Sequence, residues 1–246
     1  MINKGELLSI INKYYLNAMV EATRWNIENN TVTIRFNSPS KEMIGEVKAT
    51  GFPIEDSNIA VSNTTQLIKL ISITNNFLEL NYQKTNKFIS KLIISDNQFT
   101  LNYALADIML IPKVGEVNDI DEWDITAPLD NEAIGAIVKA KSALNESETV
   151  VIKPYLNPEN EFQIEMEFGG NVEYANKVSF YIPNAVKNNE VSNFKEYYNS
   201  NIIKEIMYCN KDMSRGNISI KLDGIMKLEF ENEKIKSTYY LVSKEI

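Results

Sequence analysis

The chain has 246 residues, of which 44% are apolar and 24% are charged, and its net charge is −8. A chain of this size fits one large or two ordinary domains and can bury a sizeable core. No apolar run approaches the roughly 18 residues of a membrane-spanning helix, and the first residues lack the basic-then-apolar order of a signal peptide. Together with the single cysteine, Cys209, these features favour a cytoplasmic protein, in the host cytoplasm if it is viral.

The sequence contains no histidine. Because histidine is the commonest general base and metal ligand, Ser-His-Asp, Cys-His and histidine-zinc sites are excluded. Chemistry carried by carboxylates or lysines stays possible. The negative net charge argues against a broadly basic surface that wraps nucleic acid, but it allows a locally positive face.

The first part of the chain predicts a helix, four strands, a second helix and three strands. Leu7, Ile11 and Tyr14 belong to a wide apolar stripe at helical spacing, and Asn63 can cap the second helix. Strict alternation of apolar and polar residues predicts half-buried strands. The predicted helices cover 3–17 and 64–76, and the predicted strands cover 18–28, 31–36, 43–50, 58–62, 77–84, 88–95 and 99–107.

Residues 109–127 are predicted to form an extended connector between an N-terminal domain, 1–108, and a C-terminal domain, 128–246. Pro112 and Gly115 interrupt the strand alternation there, and an acidic run follows them. A segment in which proline, glycine and acidic residues interrupt the strand pattern is typical of a domain boundary.

The acids of the connector do not fit a calcium-binding loop. Asp119, Asp121 and Asp124 begin like one, but the fifth position is Trp123, and Asp124 stands where the loop needs glycine. A solvated acidic linker is the better interpretation, and we predict no metal site. The chain also lacks a glycine-rich loop that could hold phosphates.

The second part of the chain repeats the same order of elements. Its predicted helices cover 130–144 and 197–211, and its predicted strands cover 149–155, 161–168, 172–182, 218–222, 225–231 and 235–242. A supersecondary plan that occurs twice indicates duplication. The sequence therefore predicts an α+β fold of two similar domains, each with antiparallel sheet and two short helices.

The four predicted helices hold more lysines than acids. The acids are Glu6, Asp130, Glu132 and Glu205, and the lysines are Lys4, Lys13, Lys69, Lys139, Lys141, Lys204 and Lys211. Sparse lysines of this kind could contact phosphates weakly and without sequence preference, or they could belong to ordinary solvated helix faces.

Three segments resemble the DNA polymerase sliding clamps, in the two-domain type of archaea, eukaryotes and tailed phages. Residues 235–246 are similar to the family's closing pattern of an aromatic pair, two small apolar residues and a lysine before a short tail. Residues 217–230 are similar to the two preceding strands, and 66–71 to a helix of the first domain. Two features depart from the family: the connector after Pro112 reads as longer than usual, and Ser243 stands where many members have proline.

The resemblance implies a ring-shaped processivity factor with the sliding-clamp architecture and with no catalytic activity, cofactor or metal. Six like domains would surround duplex DNA, so two domains per chain imply a head-to-tail homotrimer. The implied partners are the encircled DNA, the tail peptide of a DNA polymerase and a clamp loader ATPase.

The resemblance also implies roles for individual residues. The seven helix lysines would face the DNA. Edge strands near 99–107 and 176–184 would pair between subunits, at Tyr103, Leu105, Phe180 and Ile182. The partner peptide would bind between the connector and the end of the second domain, in a pocket made by Ile111, Pro112, Val114, Val117, Ile225, Met226, Tyr240, Val242 and Ser243.

Two other functions fit the sequence. A β-rich virion or cell-surface structural protein would have no DNA role, and its helices would be incidental. A carboxylate-dependent enzyme would need paired acids at the mouth of a pocket, and strand alternation already explains the acid pairs of this chain. Helix faces that are poor in acids favour the clamp.

Overall fold

The structure is a computed structural model that describes residues 1–85, 88–169, 175–191 and 193–244. The chain forms two compact units. The first unit contains Met1–Pro39, Ile44–Val117 and Glu233–Ser237, and the second contains Ser40–Met43, Asn118–Asn232 and Thr238–Ile246.

The first unit is built from antiparallel strands and two helices. One sheet has the order β1-β6-β7-β8, and a second group of strands has the order β4-β3-β2-β5. The elements are β1 (Ile2–Asn3), α1 (Lys4–Tyr15), β2 (Thr23–Glu28), β3 (Thr31–Asn37), β4 (Met43–Thr50), β5 (Ser57–Val61), α2 (Thr64–Ser72), β6 (Phe77–Thr85), β7 (Phe88–Ser95) and β8 (Thr100–Ala104), followed by a 3₁₀ turn at Ile108–Leu110.

The second unit repeats this plan. One sheet has the order β12-β11-β10-β14, and the other group has the order β13-β9-β15-β16-β17. The elements are β9 (Ile125–Leu129), α3 (Asn131–Ala143), β10 (Thr149–Leu156), β11 (Phe162–Gly169), β12 (Lys177–Ile182), β13 (Val186–Lys187), β14 (Glu196–Asn199), α4 (Ser200–Cys209), β15 (Arg215–Lys221), β16 (Ile225–Glu231) and β17 (Ile235–Val242).

Each of the four helices begins after an asparagine or aspartate. Asn63 Oδ1 accepts a hydrogen bond from the Gln66 amide at 2.8 Å, and Asp130 Oδ1 accepts one from the Ala133 amide at 2.7 Å. Asn3 and Asn199 cap α1 and α4 in the same way. Because the first amides of a helix have no partner within it, these caps determine where the helices start.

The apolar faces of the helices pack into the cores of their units. In the first unit, Tyr14 meets Trp25 edge to face at 6.2 Å, and Trp25 meets Phe52 at 6.0 Å. In the second unit, α4 buries Ile203, Ile206 and other apolar residues. The polar faces of the helices are therefore the ones that remain available for a function.

Several observed elements differ from the predicted ones. The strand predicted over 18–28 begins at Thr23, because Leu16, Asn17 and Ala18 have positive φ angles of 47°, 54° and 71° and form a turn. The helix predicted over 197–211 covers only Ser200–Cys209, because the preceding residues form β14. Residues 125–127, which the sequence assigns to the connector, lie in β9. Part of the strand predicted over 172–182 lies outside the described residues, and the strand observed there is Lys177–Ile182.

Candidate functional site

Four of the seven predicted lysines lie at or near the surface of the helices. Lys69 on α2 and Lys139 on α3 are exposed. The side chain of Lys204 on α4 is 27% exposed and its Nζ lies 4.0 Å from Glu205 Oε1. Lys211 follows α4, and its Nζ lies 4.3 Å from the ring centroid of Tyr208. These four ammonium groups can meet an anionic ligand.

The other three lysines are occupied within the protein, which corrects their assignment to DNA. Lys13 and Lys141 are fully buried. Lys13 Nζ donates to Ser9 Oγ at 2.8 Å, and Lys141 Nζ donates to the carbonyl of Asn145 at 2.7 Å, just beyond the end of α3. Lys4 Nζ donates to the carbonyls of residues 72 and 74, each at 2.7 Å. The reason is common to Lys4 and Lys141: carbonyls at a helix C-terminus lack partners within the helix, and a lysine can satisfy them.

Lys141 carries an electrostatic cost in this position. Burial lowers its pKa, and the nearby positive charge of Lys204 lowers it further. Lys204 is thus the more accessible member of a lysine pair, and the presence of an anion beside it would relieve the repulsion.

The last part of the connector contacts β16 and β17 in the second unit. Asp119 accepts hydrogen bonds from Lys227 Nζ at 2.8 and 3.0 Å and from the Tyr240 hydroxyl at 3.1 Å. The Trp123 ring stacks on Tyr240 with 6.5 Å between centroids and 27° between planes. Lys227 Nζ also lies 5.2 Å from the centroid of the Trp123 ring. We call these four residues, Asp119, Trp123, Lys227 and Tyr240, the aromatic clasp.

The charge of the clasp is balanced inside it. Partial burial alone would raise the pKa of Asp119, but the hydrogen bond and charge of Lys227 outweigh it and hold that pKa below its usual value. Lys227 is almost fully buried by the connector. The Asp119 carboxylate is therefore the anion that this buried ammonium needs.

Asp124, one of the three connector acids that resemble the start of a calcium loop, has a structural role. Its carboxylate accepts hydrogen bonds from the Leu222 amide at 2.9 Å and from Asn189 Nδ2 at 2.7 Å, and Lys221 Nζ lies 3.3 Å away. The Leu222 amide is the main cause of a lowered pKa for Asp124. Among the described residues, no group of three or more acids and cysteines could hold a metal ion.

The residues predicted to bind a partner peptide divide between the two units. In the second unit, Val242 is 49% exposed and Ile225, Tyr240 and Ser243 are half-buried. Met226 is a correction: it is fully buried, because alternate residues of β16 point into the core. In the second unit, four of the five predicted residues therefore remain accessible to a peptide.

In the first unit, Pro112 and Val117 are exposed and Val114 is half-buried. Ile111 is a correction, since its side chain is buried and its carbonyl accepts a hydrogen bond from Arg24 Nε at 2.6 Å. Val114 lines an open cleft of about 430 Å³ with Arg24, Asn26, Glu28, Thr33, Arg35, Asn58, Ile108 and Lys113.

Ser243, where the resemblance to sliding clamps leads one to expect proline, uses its backbone amide. Its amide donates to the Gly224 carbonyl at 2.7 Å, a hydrogen bond that proline cannot make. Gly224 has a φ of +91°, and a Cβ added there would lie 2.4 Å from Ser243 Oγ. Gly224 and Ser243 therefore lie in direct contact.

The strands predicted to join subunits are both edge strands. β8 ends the sheet β1-β6-β7-β8, and β12 ends the sheet β12-β11-β10-β14. Leu105 and Phe180 are half-buried. Tyr103 and Ile182 are corrections, because both are buried in their own units; the Tyr103 hydroxyl donates to the Asn63 carbonyl at 3.0 Å. An edge contact would therefore use the backbone and the outward side chains of these strands.

Comparison with known proteins identifies the fold. No model of a known protein family matches the sequence, and no curated protein matches it. The proliferating cellular nuclear antigen (PCNA) of Entamoeba histolytica matches with a TM-score of 0.76 at 15% sequence identity, over 99% of this chain and 96% of that one. The chain has the PCNA fold. The PCNA2–PCNA3 complex of Sulfolobus tokodaii matches with a TM-score of 0.72 at 10% identity, over 99% and 98% of the two chains.

The PCNA fold confirms the fold class predicted from the sequence, α+β with two similar domains of antiparallel sheet and short helices. It gives no support to the alternative of a β-rich virion protein. Among the described residues, no helix is long and apolar enough to cross a membrane.

One buried acid of this PCNA fold should make stability depend on pH. Burial raises the pKa of Glu196 above its ordinary 4.5, and the charges of Asp223 and Asp124 add to this, although the Tyr198 hydroxyl donates a hydrogen bond to the carboxylate. The folded state therefore binds the proton more tightly than the unfolded state. The ionised carboxylate costs stability at neutral pH, and this cost disappears as the pH falls through the raised pKa towards 4.5.

We expect Glu196→Gln to raise the free energy of unfolding at pH 8 relative to the unmodified protein and to lose this advantage near pH 4.5. Urea unfolding at both pH values measures the difference. Glu190→Gln, at an exposed position, is the matched control and should change neither value. Equal stability of Glu196→Gln and the unmodified protein at pH 8 would contradict the assignment.

Proposed function

We propose that the protein is a sliding clamp, a non-catalytic ring that encircles duplex DNA and tethers a DNA polymerase for processive synthesis. The observation that carries this proposal is the likeness to PCNA over 99% of the chain. The duplicated plan of the two units and the acid-poor helix faces support it independently. One of the similar structures is itself a PCNA2–PCNA3 complex.

The proposed ring is a head-to-tail homotrimer. β8 of one subunit would pair with β12 of the next, so that these two edge strands find partners. Both strands carry polar outward residues, such as Asn102 and Ser179, which are exposed in the single chain. Such an interface uses backbone hydrogen bonds more than apolar burial.

The proposed contact with DNA is made by Lys69, Lys139, Lys204 and Lys211. So few ammonium groups give a weak attraction that does not depend on base sequence. Retention on DNA would then come from encirclement, and the ring could slide. A clamp loader ATPase would be the partner that places the ring on DNA.

A topological experiment tests this function. The protein is loaded by its cognate loader on nicked circular DNA, isolated by gel filtration, and divided; one half is then cut with a single-site restriction enzyme. We expect the protein to remain on the circle and to leave the linear DNA, with a native mass of three chains. Equal retention on both DNA forms, or a monomer at high micromolar concentration with no ring in micrographs, would overturn the proposal.

The proposed docking surface for the polymerase tail peptide includes Ile225, Tyr240, Val242 and Ser243 of the second unit. We expect Val242→Asp to weaken binding of that peptide about 30-fold, since a buried anchor contributes about 2 kcal/mol. Val186→Asp is the control, because Val186 is 55% exposed on β13, away from this surface of β17. Isothermal titration calorimetry measures both affinities.

Tyr240→Ala should also reduce the affinity for the peptide, and neither variant should alter the trimer or the encirclement of DNA. Undiminished peptide affinity in both Val242→Asp and Tyr240→Ala would show that the peptide binds elsewhere.

A further inference from the structure

The chain binds one of its own segments as if it were a ligand. Asp119 and Trp123, four residues apart, contact the same two residues of the sheet, Lys227 on β16 and Tyr240 on β17. The carboxylate neutralises the ammonium, and the indole ring contacts both the ammonium and the phenol ring. An acid followed four positions later by an aromatic residue is therefore the pattern that this surface recognises.

The surface selects for that pattern. With the connector in place Lys227 is almost fully buried, so an occupant that covered it in the same way but carried no negative charge would leave the ammonium without a counterion. The aromatic ring adds stacking on Tyr240 and a cation–π contact with Lys227. A purely apolar peptide would supply neither the charge nor the stacked ring.

The resident segment is a weak occupant. Trp123 is more than nine-tenths buried, yet its Nε1 has no hydrogen-bond partner among the described residues. A buried donor without a partner costs about 1–3 kcal/mol. The Asp119 side chain is 58% exposed, so its ion pair with Lys227 contributes at most about 1 kcal/mol. An external peptide can compete with this segment if it offers the same carboxylate and aromatic ring. It would bind more tightly if the N–H of its ring also found a hydrogen-bond acceptor.

We propose that the surface of Lys227 and Tyr240 is a binding site for a peptide with a carboxylate four residues before an aromatic residue, and that Asp119 and Trp123 occupy it until such a peptide displaces them. The site itself is defined by the contacts of the aromatic clasp. Its use by a replication partner rests on the proposed function.

A peptide with the chain's own sequence 118–125 tests the site directly. The probe carries a fluorophore at its N-terminus, and fluorescence anisotropy measures its binding to the full-length protein. The unmodified protein should bind it weakly, because its site is filled. Trp123→Ala should bind the probe about tenfold or more tightly. If the resident segment leaves the site open for only about a tenth of the time, the apparent affinity of the unmodified protein is about tenfold lower than that of an open site.

The second substitutions identify the site. Adding Lys227→Met or Tyr240→Ala to Trp123→Ala should remove the gain in probe affinity. A probe with asparagine in place of its first aspartate should bind Trp123→Ala as weakly as the original probe binds the unmodified protein. Adding Lys91→Met, at an exposed position on β7, should leave the gain intact. Equal affinity of the probe for the unmodified protein and for Trp123→Ala would overturn the proposal.

A second measurement keeps the test decisive if Trp123→Ala does not fold. The chain has two tryptophans, Trp25 and Trp123, so an ¹⁵N spectrum shows two indole signals. Excess probe should shift the Trp123 signal towards that of a hydrated indole and leave the signal of Trp25, buried in the first unit, unchanged. An unmoved Trp123 signal at saturating probe refutes displacement. A probe that binds to a protein that never encircles DNA would refute the proposed function and leave the site standing.

Discussion

Proline substitutions at neighbouring positions of β12 should fall into two classes. Along an edge strand, amides alternate between the neighbouring strand β11 and the open edge. Of Val178→Pro and Ser179→Pro, one should therefore lower the melting temperature by breaking a bond to β11, and the other should keep the fold but lose the proposed trimer. Each broken backbone hydrogen bond costs about 1 kcal/mol. Because the proposed ring has three equivalent interfaces, one substitution weakens all three.

The measurement is native mass with thermal unfolding of the same samples. Val178→Ala and Ser179→Ala retain their amides and serve as controls, which should remain trimeric. Ala104→Pro, at the exposed end of β8, tests the proposed partner strand of β12. It should either lower the melting temperature or prevent formation of the trimer. Stable trimers in all three proline variants would show that the ring closes by another contact.

Much of the fold could be predicted from the sequence, because the spacing of apolar residues and the capping residues indicate the same helices and strands over most of the chain. The strands Met43–Thr50, Phe88–Ser95 and Ile235–Val242 have their predicted bounds. The turn at residues 16–18 was not predictable in this way, since Leu16 and Ala18 have left-handed backbone angles that neither residue favours. Tertiary packing of the buried Leu16 overrides local preference there.

The functional residues were harder to predict, because periodicity gives the face of a helix and not the depth of a side chain. Lys13 and Lys141 are close to the polar faces by spacing, yet both are buried with their ammonium groups hydrogen-bonded. One signal was available for Lys141: it lies in the last turn of its helix, where an ammonium can satisfy unpaired carbonyls. In the sequence, Trp123 is only a mismatch to a calcium loop, since stacking on a distant Tyr240 leaves no mark in local sequence.

Reversal of the exposed lysines should have the largest effect on DNA. We expect Lys69→Glu with Lys204→Glu to reduce loading and processive synthesis by about tenfold or more, because each subunit exchanges two attractive charges for two repulsive ones beside the phosphates. The salt dependence of loading should also become shallower, by about 0.9 in logarithmic slope for each phosphate that the ring no longer neutralises. Primer extension at several salt concentrations measures both effects.

The control must carry the same change in net charge without touching the helices. Lys91→Glu with Lys195→Glu meets this condition, since both lysines are exposed and lie outside α1 to α4. That variant should load and slide like the unmodified protein. If both double variants lost activity equally, the effect would belong to net charge. If the Lys69 and Lys204 variant kept full activity, the helices would not face DNA. A selective loss in the helix variant, with trimer mass unchanged, is the result that assigns these two lysines to the DNA-facing surface.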